Sequence, residues 1–203
     1  NAQYALLFGD GHYDPKNYLG HGRTNYIPAY LAYVDPWIGE TAADNRYVTL
    51  VGDDLLPDMM LGRLTVNTLP EANRVVNKII SYEQTSLGGE WINDILSVAD
   101  DPDGGGNFPQ IAENLFIDLK PEYYNLDKVH YMVTHTDPIA ARAAIVEQMN
   151  NGKVLVNYIG HGSYTSWADE PLFSRGQVEE LTNTERLYIN LSMSCMDGFF
   201  HDP

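Results

Sequence analysis

The sequence predicts an α/β protein with a parallel sheet and helices on both faces of that sheet. Its second half alternates short apolar runs with amphipathic segments, and two of these runs end directly at His161 and Cys195. Such near-continuous apolar runs are typical of parallel strands that are buried on both faces. The order strand, helix, strand, helix implies a sheet whose crossovers are helical.

Residues 1 to about 90 are predicted to form a first α/β block. Tyr4–Phe8 has the composition of a core strand, and Tyr47–Val51 is interpreted as a second strand. A helix is expected to begin near Pro70, because Thr68 and Glu71 have the spacing of a capping box and proline is favoured in the first turn. This block is expected to be an incomplete α/β subdomain.

Residues 91–203 are predicted to form a second block, and Gly88 and Gly89 read as the linker before it. Its strands are expected at Ile95–Ala99, at Val129–Val133 and in the runs that end at His161 and Cys195. Its helices are expected from Phe108 to Leu119, from Pro138 to Met149 and from a capping box at Ser174 and Gln177. The predicted domains are therefore residues 1–90 and 91–203.

The composition of the 203 residues excludes several classes of protein. With 28 acidic and 12 basic residues the net charge is −16, so nucleic acid is not an expected partner, because phosphate binding needs clustered Lys and Arg. No apolar stretch reaches the roughly 20 residues that span a bilayer. A single cysteine excludes an internal disulfide framework. The acidic surface is compatible with secretion, with bound calcium and with high-salt habitats.

The ends of the chain suggest a piece of a longer protein. The sequence enters a core strand at Tyr4 without a signal peptide and stops eight residues after Cys195. We therefore expect the remainder of a parent protein on either side, and the missing signal peptide says nothing about location.

His161 and Cys195 are the strongest candidates for catalysis. Consecutive strands are usually neighbours, and open α/β sheets place their chemistry at the carboxyl ends of the strands. The imidazole and the thiol are thus expected at one edge, as in a Cys/His nucleophilic site. Gly160 and Gly162 flank the histidine and allow the backbone to approach a substrate closely. The competing interpretation is a buried, inert cysteine.

Further residues could complete such a site. The Gly162 N–H is a natural oxyanion donor, with the Cys195 N–H as a second. Asp100 and Asp101 follow an earlier strand of the same sheet, so either carboxylate could orient the imidazole. Asp169 is a third candidate, and each of these acids could also be a solvated loop residue or a helix cap.

Metal ligands are a weaker prediction. Asp10, His12 and Asp14 alternate in a glycine loop and could bind a metal through oxygen and nitrogen, although turn chemistry explains them equally well. Asp103, in the loop Asp100–Gly106, resembles a calcium ligand only loosely, since no suitably spaced glutamate follows. The catalytic chemistry requires no cofactor, and structural Ca²⁺ is the one cofactor that the sequence leaves open.

Six segments resemble a known family, and they are Leu155–Ser163, Trp167–Asp169, Gln177–Asn183, Ser194–Phe199, Leu61–Leu64 and Lys78–Glu83. They are similar to the gingipain-type cysteine peptidases, relatives of the caspases and legumains. The resemblance implies a caspase-like parallel sheet preceded by part of a second, similar subdomain. It also implies His161 as base, Cys195 as nucleophile, an acyl-enzyme, and export from a bacterium to its surface or surroundings.

The chain departs from that family at two places. Arginine-specific gingipains have an aspartate that reads the basic P1 side chain, whereas Asn107–Gln110 contains no acid at the corresponding stretch. The loop near Asp100 and Asp101, where the acid that pairs with the family's histidine falls, differs in length. In addition, the strands that complete the family's substrate cleft are expected after Pro203, so the isolated chain could lack activity. Arginine specificity is therefore not expected.

Three functions remain open from the sequence. The first is a secreted cysteine endopeptidase that acts on protein or peptide substrates. The second is a transpeptidase of the same family, in which an amine replaces water as the acyl acceptor. The third is a non-catalytic caspase-like module for calcium or protein binding, against which the intact His161 and Cys195 pair argues.

Overall fold

The structure is a computed structural model that describes residues 2–84 and 88–202. The chain divides into two compact units, residues 1–81 with 198–203, and residues 82–197. The division into domains of residues 1–90 and 91–203 stays a prediction from the sequence. Within the described ranges, no helix has both the length and the apolar character that a membrane span requires.

The first unit contains two small sheets and one long helix. Strand β1 pairs in parallel with β4, and β2 pairs antiparallel with β3. The elements are β1 (Tyr4–Phe8), β2 (Leu31–Asp35), β3 (Gly39–Ala42), a 3₁₀ helix (Asp44–Val48), β4 (Met60–Leu64) and α1 (Leu69–Gln84). The predicted strand at Tyr4–Phe8 and the predicted helix near Pro70 are confirmed by β1 and α1.

The predicted strand at Tyr47–Val51 is wrong, because its first residues belong to the 3₁₀ helix. The N–H groups of Leu50 and Val51 donate to the Asp58 carboxylate at 2.6 and 2.9 Å. A side chain therefore satisfies the amides that a neighbouring strand would otherwise bind. The β-branched composition alone predicts a strand here. The Asp58 acceptor, seven and eight residues further along the chain, explains why the segment is not one.

The second unit is built on a four-stranded parallel sheet in the order β10-β7-β5-β6. Its elements are a 3₁₀ helix (Glu90–Asn93), β5 (Asp94–Ala99), α2 (Phe108–Leu119), β6 (Asn125–His130), α3 (Pro138–Asn151), β7 (Leu155–Ile159), β8 (Ser166–Trp167), β9 (Phe173–Ser174), α4 (Arg175–Glu179) and β10 (Ile189–Met193). The predicted α/β fold with a parallel sheet between helices is confirmed.

The two faces of this sheet are covered by different helices. On one face, buried residues of the strands pack against α3, and the cluster includes Leu96, Val98, Val156, Ala141 and Ile145. On the other face, α2 packs against the next residues along the same strands, and that cluster comprises Ala99, Ala112 and Ile159. Because successive residues of a strand point to opposite faces, both faces must be apolar. This explains why the strands read as apolar runs.

Strand β6 lies earlier in the chain than predicted. It ends at His130, and the N–H groups of Val133 and Thr134 both donate to the His130 carbonyl at 3.1 and 2.8 Å. The chain turns at this point, so the apolar residues after His130 do not extend the strand.

His130 makes the stability of the second unit dependent on pH. The imidazole is buried, and its Nε2 lies 2.9 Å from Ser97 Oγ. Burial lowers the pKa of His130 below its ordinary value of 6.5, while Glu113 raises it and Lys128 lowers it. The unfolded chain binds a proton near pH 6.5 and the folded chain only at lower pH. The contribution of His130 to the free energy of unfolding should therefore decrease as the pH falls below about 6.5.

The variant His130→Gln tests this expectation, since the amide can reach Ser97 but does not titrate. Urea denaturation between pH 7.5 and 5 should show a weaker pH dependence for the variant than for the wild type. The exposed His21 provides a matched control, and His21→Gln should keep the wild-type dependence. Equal dependences for the wild type and His130→Gln would exclude this role of His130.

Candidate active site

The sheet topology brings His161 and Cys195 to one edge. Strands β7 and β10 are parallel neighbours in which Ile159 pairs with Met193. His161 and Cys195 each follow two residues after these paired positions. Both therefore leave the sheet at its carboxyl edge, as the sequence predicts, and Cys195 is exposed to solvent.

Close packing joins the two segments. A Cβ added to Gly162 would overlap the Cys195 carbonyl oxygen and would lie 2.7 Å from Ser194 Oγ. The chain after the histidine thus lies directly on the backbone of the cysteine. Only a residue without a side chain fits at position 162.

The turn that carries Cys195 is held by an acid. Met196 has a φ of +67°, a conformation that non-glycine residues adopt rarely and at a cost in free energy. The Asp197 carboxylate accepts hydrogen bonds from the hydroxyls of Ser192 and Ser194, the latter at 2.8 Å. These bonds connect the turn to the end of β10 and fix the position of the thiol.

Asp103 is the acid that contacts the imidazole of His161. Its Oδ2 lies 2.9 Å from Nε2 of the histidine. An ionised carboxylate can only accept a hydrogen bond, so this contact places the proton on Nε2 and leaves Nδ1 with a free lone pair. The Phe108 ring meets the imidazole edge to face at 5.2 Å. The histidine is therefore held in a tautomer that can accept a proton at Nδ1.

The glycine loop after Asp103 creates this contact. The backbone N–H of Gly105 donates to Asp103 Oδ1 at 2.7 Å, and Asp103 and Gly106 form a tight turn. The Gly105 hydrogen bond lowers the pKa of Asp103 below its ordinary value of 3.8, and the His161 imidazole lowers it further. A Cβ at Gly105 would lie only 3.0 Å from the imidazole. The loop was interpreted as a loose calcium motif, whereas in the structure it presents a carboxylate to the histidine.

Asp100 holds the backbone of His161 and does not contact its ring. Its Oδ2 accepts a hydrogen bond from the His161 N–H at 3.0 Å, and its Oδ1 accepts one from the Asp101 N–H at 2.9 Å. The carboxyl group is 2% exposed. Burial raises the pKa of Asp100 to about 6, although both backbone hydrogen bonds oppose this shift. The predicted role of Asp100 in orienting the ring is therefore replaced by a contact with the main chain.

Asp101 belongs to a group of three carboxylates. One oxygen from each of Asp100, Asp101 and Glu170 lies within 4.8 Å of the others, and among the described residues this is the group of acids that could hold a metal ion. Three such oxygens are fewer than the six to eight that calcium prefers. Calcium binding therefore stays a prediction.

The metal candidates of the first unit are engaged in hydrogen bonds with other groups of that unit. The Asp14 carboxylate accepts hydrogen bonds from the N–H groups of Tyr18 and Leu19 at 2.8 and 2.7 Å. The His12 ring contacts the Arg23 carbonyl and the Asp14 N–H. Asp10 binds the Gly11 N–H and the Asn67 amide.

These contacts are those of a hydrogen-bonded turn. Asp10, His12 and Asp14 do not form a metal cluster in the part of the chain that the structure describes.

The backbone N–H of Gly162 has no acceptor among the residues that the structure describes. The glycine bridges to Trp167, but the two hydrogen bonds of this bridge are donated by Ser163 and Ala168, to Ser166 and His161 respectively. The Gly162 N–H thus remains available, next to Cys195. This matches the predicted oxyanion donor, whose part in catalysis is a proposal.

The structure also places three other residues, Asn107, Ser163 and Asp169. Asn107 caps helix α2 by accepting a hydrogen bond from the Gln110 N–H at 3.2 Å, so the stretch that corresponds to the arginine-reading segment begins a helix and carries no acid. Ser163 bonds to its own loop through Ser166. Asp169 is exposed.

Fold and site together define an α/β protein with a Cys/His site at the carboxyl edge of a parallel sheet. Its family follows from comparison with known proteins. The chain belongs to peptidase family C25, whose sequence model matches residues 1–203. This confirms the resemblance to the gingipains.

Individual relatives show the same relationship. The chain is 28% identical to Lys-gingipain of Porphyromonas gingivalis over 199 residues, which cover 93% of the chain and 11% of that protein. It is 27% identical to gingipain R2 of the same species over 163 residues, covering 78% of the chain and 22% of that protein.

The crystal structure of the Arg-specific cysteine proteinase gingipain R superimposes with a TM-score of 0.73 at 26% identity, covering 98% of this chain and 41% of that one. The complex of the RgpB pro- and mature domains gives 0.71 at 25% identity, covering 98% and 42%. The chain thus spans a minor part of each relative.

Proposed function

We propose that this chain carries the Cys/His site of a cysteine endopeptidase, with Cys195 as nucleophile and His161 as base. The observation that supports it best is the 2.9 Å contact between Asp103 Oδ2 and His161 Nε2, because an ionised carboxylate there favours the proton on Nε2 and leaves Nδ1 free to accept the proton of the thiol. Membership of a peptidase family supports the same assignment.

The geometry suggests a sequence of steps. His161 Nδ1 takes the proton of the Cys195 thiol, and the sulfur attacks the carbonyl carbon of the substrate. The Gly162 N–H stabilises the resulting oxyanion, with the Cys195 N–H as a second donor. The imidazolium then protonates the leaving amine, and an acyl-enzyme thioester remains. Water, deprotonated by His161, attacks the thioester and releases the carboxylate and the thiol.

Asp103 serves this cycle by stabilising the imidazolium and by keeping the tautomer constant. Its pKa is lowered, so the carboxylate stays ionised and can pair with the imidazolium. Asp100 and Asp101 were the sequence-based candidates for this role, and the distances favour Asp103.

Substrate, location and metal content extend the proposal. Gingipain relatives are described as cysteine proteinases, so a protein or peptide is the proposed substrate, and a secreted or cell-surface bacterial protein the proposed setting. Because an acid is absent from Asn107–Gln110, we do not assign arginine specificity. A structural Ca²⁺ ion remains part of the proposal only as an accessory to folding.

A transpeptidase is the second candidate. The Cys195 residue is exposed, and the His161 side chain is 45% exposed. An amine could therefore reach an acyl-enzyme as readily as water can. The two functions share the first half of the reaction and differ only in the acceptor.

Alkylation of the single thiol tests the Cys/His pair. In the natural full-length protein, iodoacetamide at pH 7 should modify Cys195 before denaturation, and His161→Ala should slow this reaction about 10-fold or more, because the thiolate is the reactive species. His21→Ala removes an exposed histidine of the first unit and should leave the rate unchanged. A thiol that reacts only after denaturation would instead favour a non-catalytic binding module.

A further inference from the structure

Both backbone polar groups of His161 are bound by buried side chains. The His161 N–H donates to Asp100 at 3.0 Å, and the His161 carbonyl accepts the Tyr158 hydroxyl at 2.6 Å. Asp100 and Tyr158 are 2% and 0% exposed, while the histidine side chain they serve is 45% exposed. Two buried side chains, Asp100 and Tyr158, thus bind the main chain of the half-exposed His161.

Gly160 makes room for this arrangement. A Cβ at that position would overlap the Asp100 Cβ and would lie 2.5 Å from the Tyr158 hydroxyl. The glycine before the histidine is therefore explained by packing, in addition to any contact with substrate.

An aromatic stack fixes the phenol of Tyr158. Its ring lies parallel to that of Trp167, with centroids 4.4 Å apart and an interplanar angle of 4°. Trp167 in turn contacts Phe173 at 5.0 Å. Burial raises the pKa of Tyr158, so its hydroxyl keeps its proton and remains a donor. The stack holds that donor aimed at the His161 carbonyl.

Burial of the Asp100 carboxyl group is unfavourable in free energy unless other interactions compensate for it. A carboxyl group removed from water loses free energy unless hydrogen bonds replace its hydration. Here the replacement bonds come from the backbone N–H groups of Asp101 and His161, and the Tyr158 hydroxyl lies 3.5 Å from Oδ2. Each backbone N–H uses a different oxygen, so the carboxylate is matched to the local main chain and not to an opposite charge.

We propose that Asp100 and Tyr158 form a backbone clamp that positions His161 for proton transfer. This inference rests on the proposed function and assigns positioning roles to two residues that do not touch the substrate. Asp103 orients the ring, and the clamp sets the place from which the ring extends.

The clamp predicts distinct effects for two substitutions. Asp100→Asn leaves one carbonyl oxygen for two backbone donors and turns an NH₂ group toward one of them. Displacement of a catalytic group by about 1 Å can cost about 100-fold in rate, and we expect a loss of that order in kcat. Tyr158→Phe removes one bond, while the Ala168 N–H still binds the His161 carbonyl at 2.9 Å. We expect about a 10-fold loss, again with little change in KM.

Peptidase assays on the natural full-length protein measure the effects of both substitutions. Asp118→Asn, at an exposed carboxylate of α2, and Tyr188→Phe, at a half-buried tyrosine that contacts Met149, are the matched controls and should retain wild-type kcat. Near-UV circular dichroism reports whether each variant folds. If Asp100→Asn does not fold, Tyr158→Phe carries the test.

The decisive measurement combines the clamp variants with His161→Ala. Because the clamp acts through His161, Asp100→Asn or Tyr158→Phe should cause no further loss of residual activity in that background. Full additivity, or wild-type kcat in both single variants, would overturn the clamp. Such results leave the proposed function intact, since that function is tested separately by alkylation of the thiol and by the activity of Cys195→Ala.

Discussion

Cys195→Ala is expected to abolish peptidase activity, with a loss in kcat of about 10⁵- to 10⁶-fold. This is the scale on which removal of a nucleophile acts when the rest of the site, including the Gly162 donor, remains in place. The chain has one cysteine, so no second thiol within it can substitute. Steady-state cleavage of a peptide library by the natural full-length protein is the measurement. Substrate binding should persist, because the small alanine side chain removes only the sulfur.

Ser163→Ala is the informative companion to that variant. Ser163 follows the Gly-His-Gly motif and could be mistaken for a serine nucleophile, but its hydroxyl bonds within its own loop to Ser166. We expect activity within about threefold of the wild type, the size of a lost surface hydrogen bond. Cleavage that survives Cys195→Ala and disappears in Ser163→Ala would reverse the assignment of the nucleophile.

Asp103→Asn is expected to reduce kcat by about 10²- to 10⁴-fold. The amide can turn its NH₂ group toward Nε2 of His161, which favours the tautomer with the proton on Nδ1. That nitrogen would then be unable to accept the proton of the thiol. The volume of the side chain is unchanged, so the fold should be preserved and KM should change little. Separate measurement of kcat and KM across the pH range distinguishes this loss of rate from weaker substrate binding.

Two other aspartates provide the comparison. Asp169→Asn alters an exposed acid near the site and should have a small effect. Asp101→Asn tests the sequence-based assignment, since Asp101 contributes to the carboxylate group with Glu170. A large loss for Asp101→Asn together with wild-type kcat for Asp103→Asn would restore the earlier candidate and exclude the geometry described above.

Local signals in the sequence predict much of the second unit. Helix α3 begins after the Asp137 cap and ends at Gly152, which has a φ of +94°, and α4 begins with the capping box of Ser174 and Gln177. These boundaries depend on side chains within four residues, so spacing alone reveals them. Strands β5 and β7 are evident for a similar reason, because both faces of the sheet are covered there, whereas Ile189, Leu191 and Met193 of the edge strand β10 are exposed.

Hydrogen bonds to backbone groups explain what the sequence predicted incorrectly. The segment from Tyr47 to Val51 has strand-like composition, but Asp58 binds its backbone from seven and eight residues away. Strand β6 ends at His130 because the following residues fold back onto its carbonyl. Neither contact is visible in residue type or period.

The acid beside the histidine is the clearest example within the site. Asp100, Asp101 and Asp103 all follow β5 within four residues, and their order along the chain does not show which carboxylate reaches the ring. The three glycines after Asp103 were a signal, since they allow the tight turn that points this side chain back toward His161.

The sequence by itself determined the α/β class, the parallel strands, the family, and the pair of His161 and Cys195 at one sheet edge. It could do so because hydrophobic period, caps and strand-end positions are local properties. Only the tertiary structure decided that Asp103 binds the ring and that Asp100 and Tyr158 bind the backbone of His161. These choices depend on residues that lie between 3 and 61 positions apart in the chain, and only the folded packing sets the distances between them.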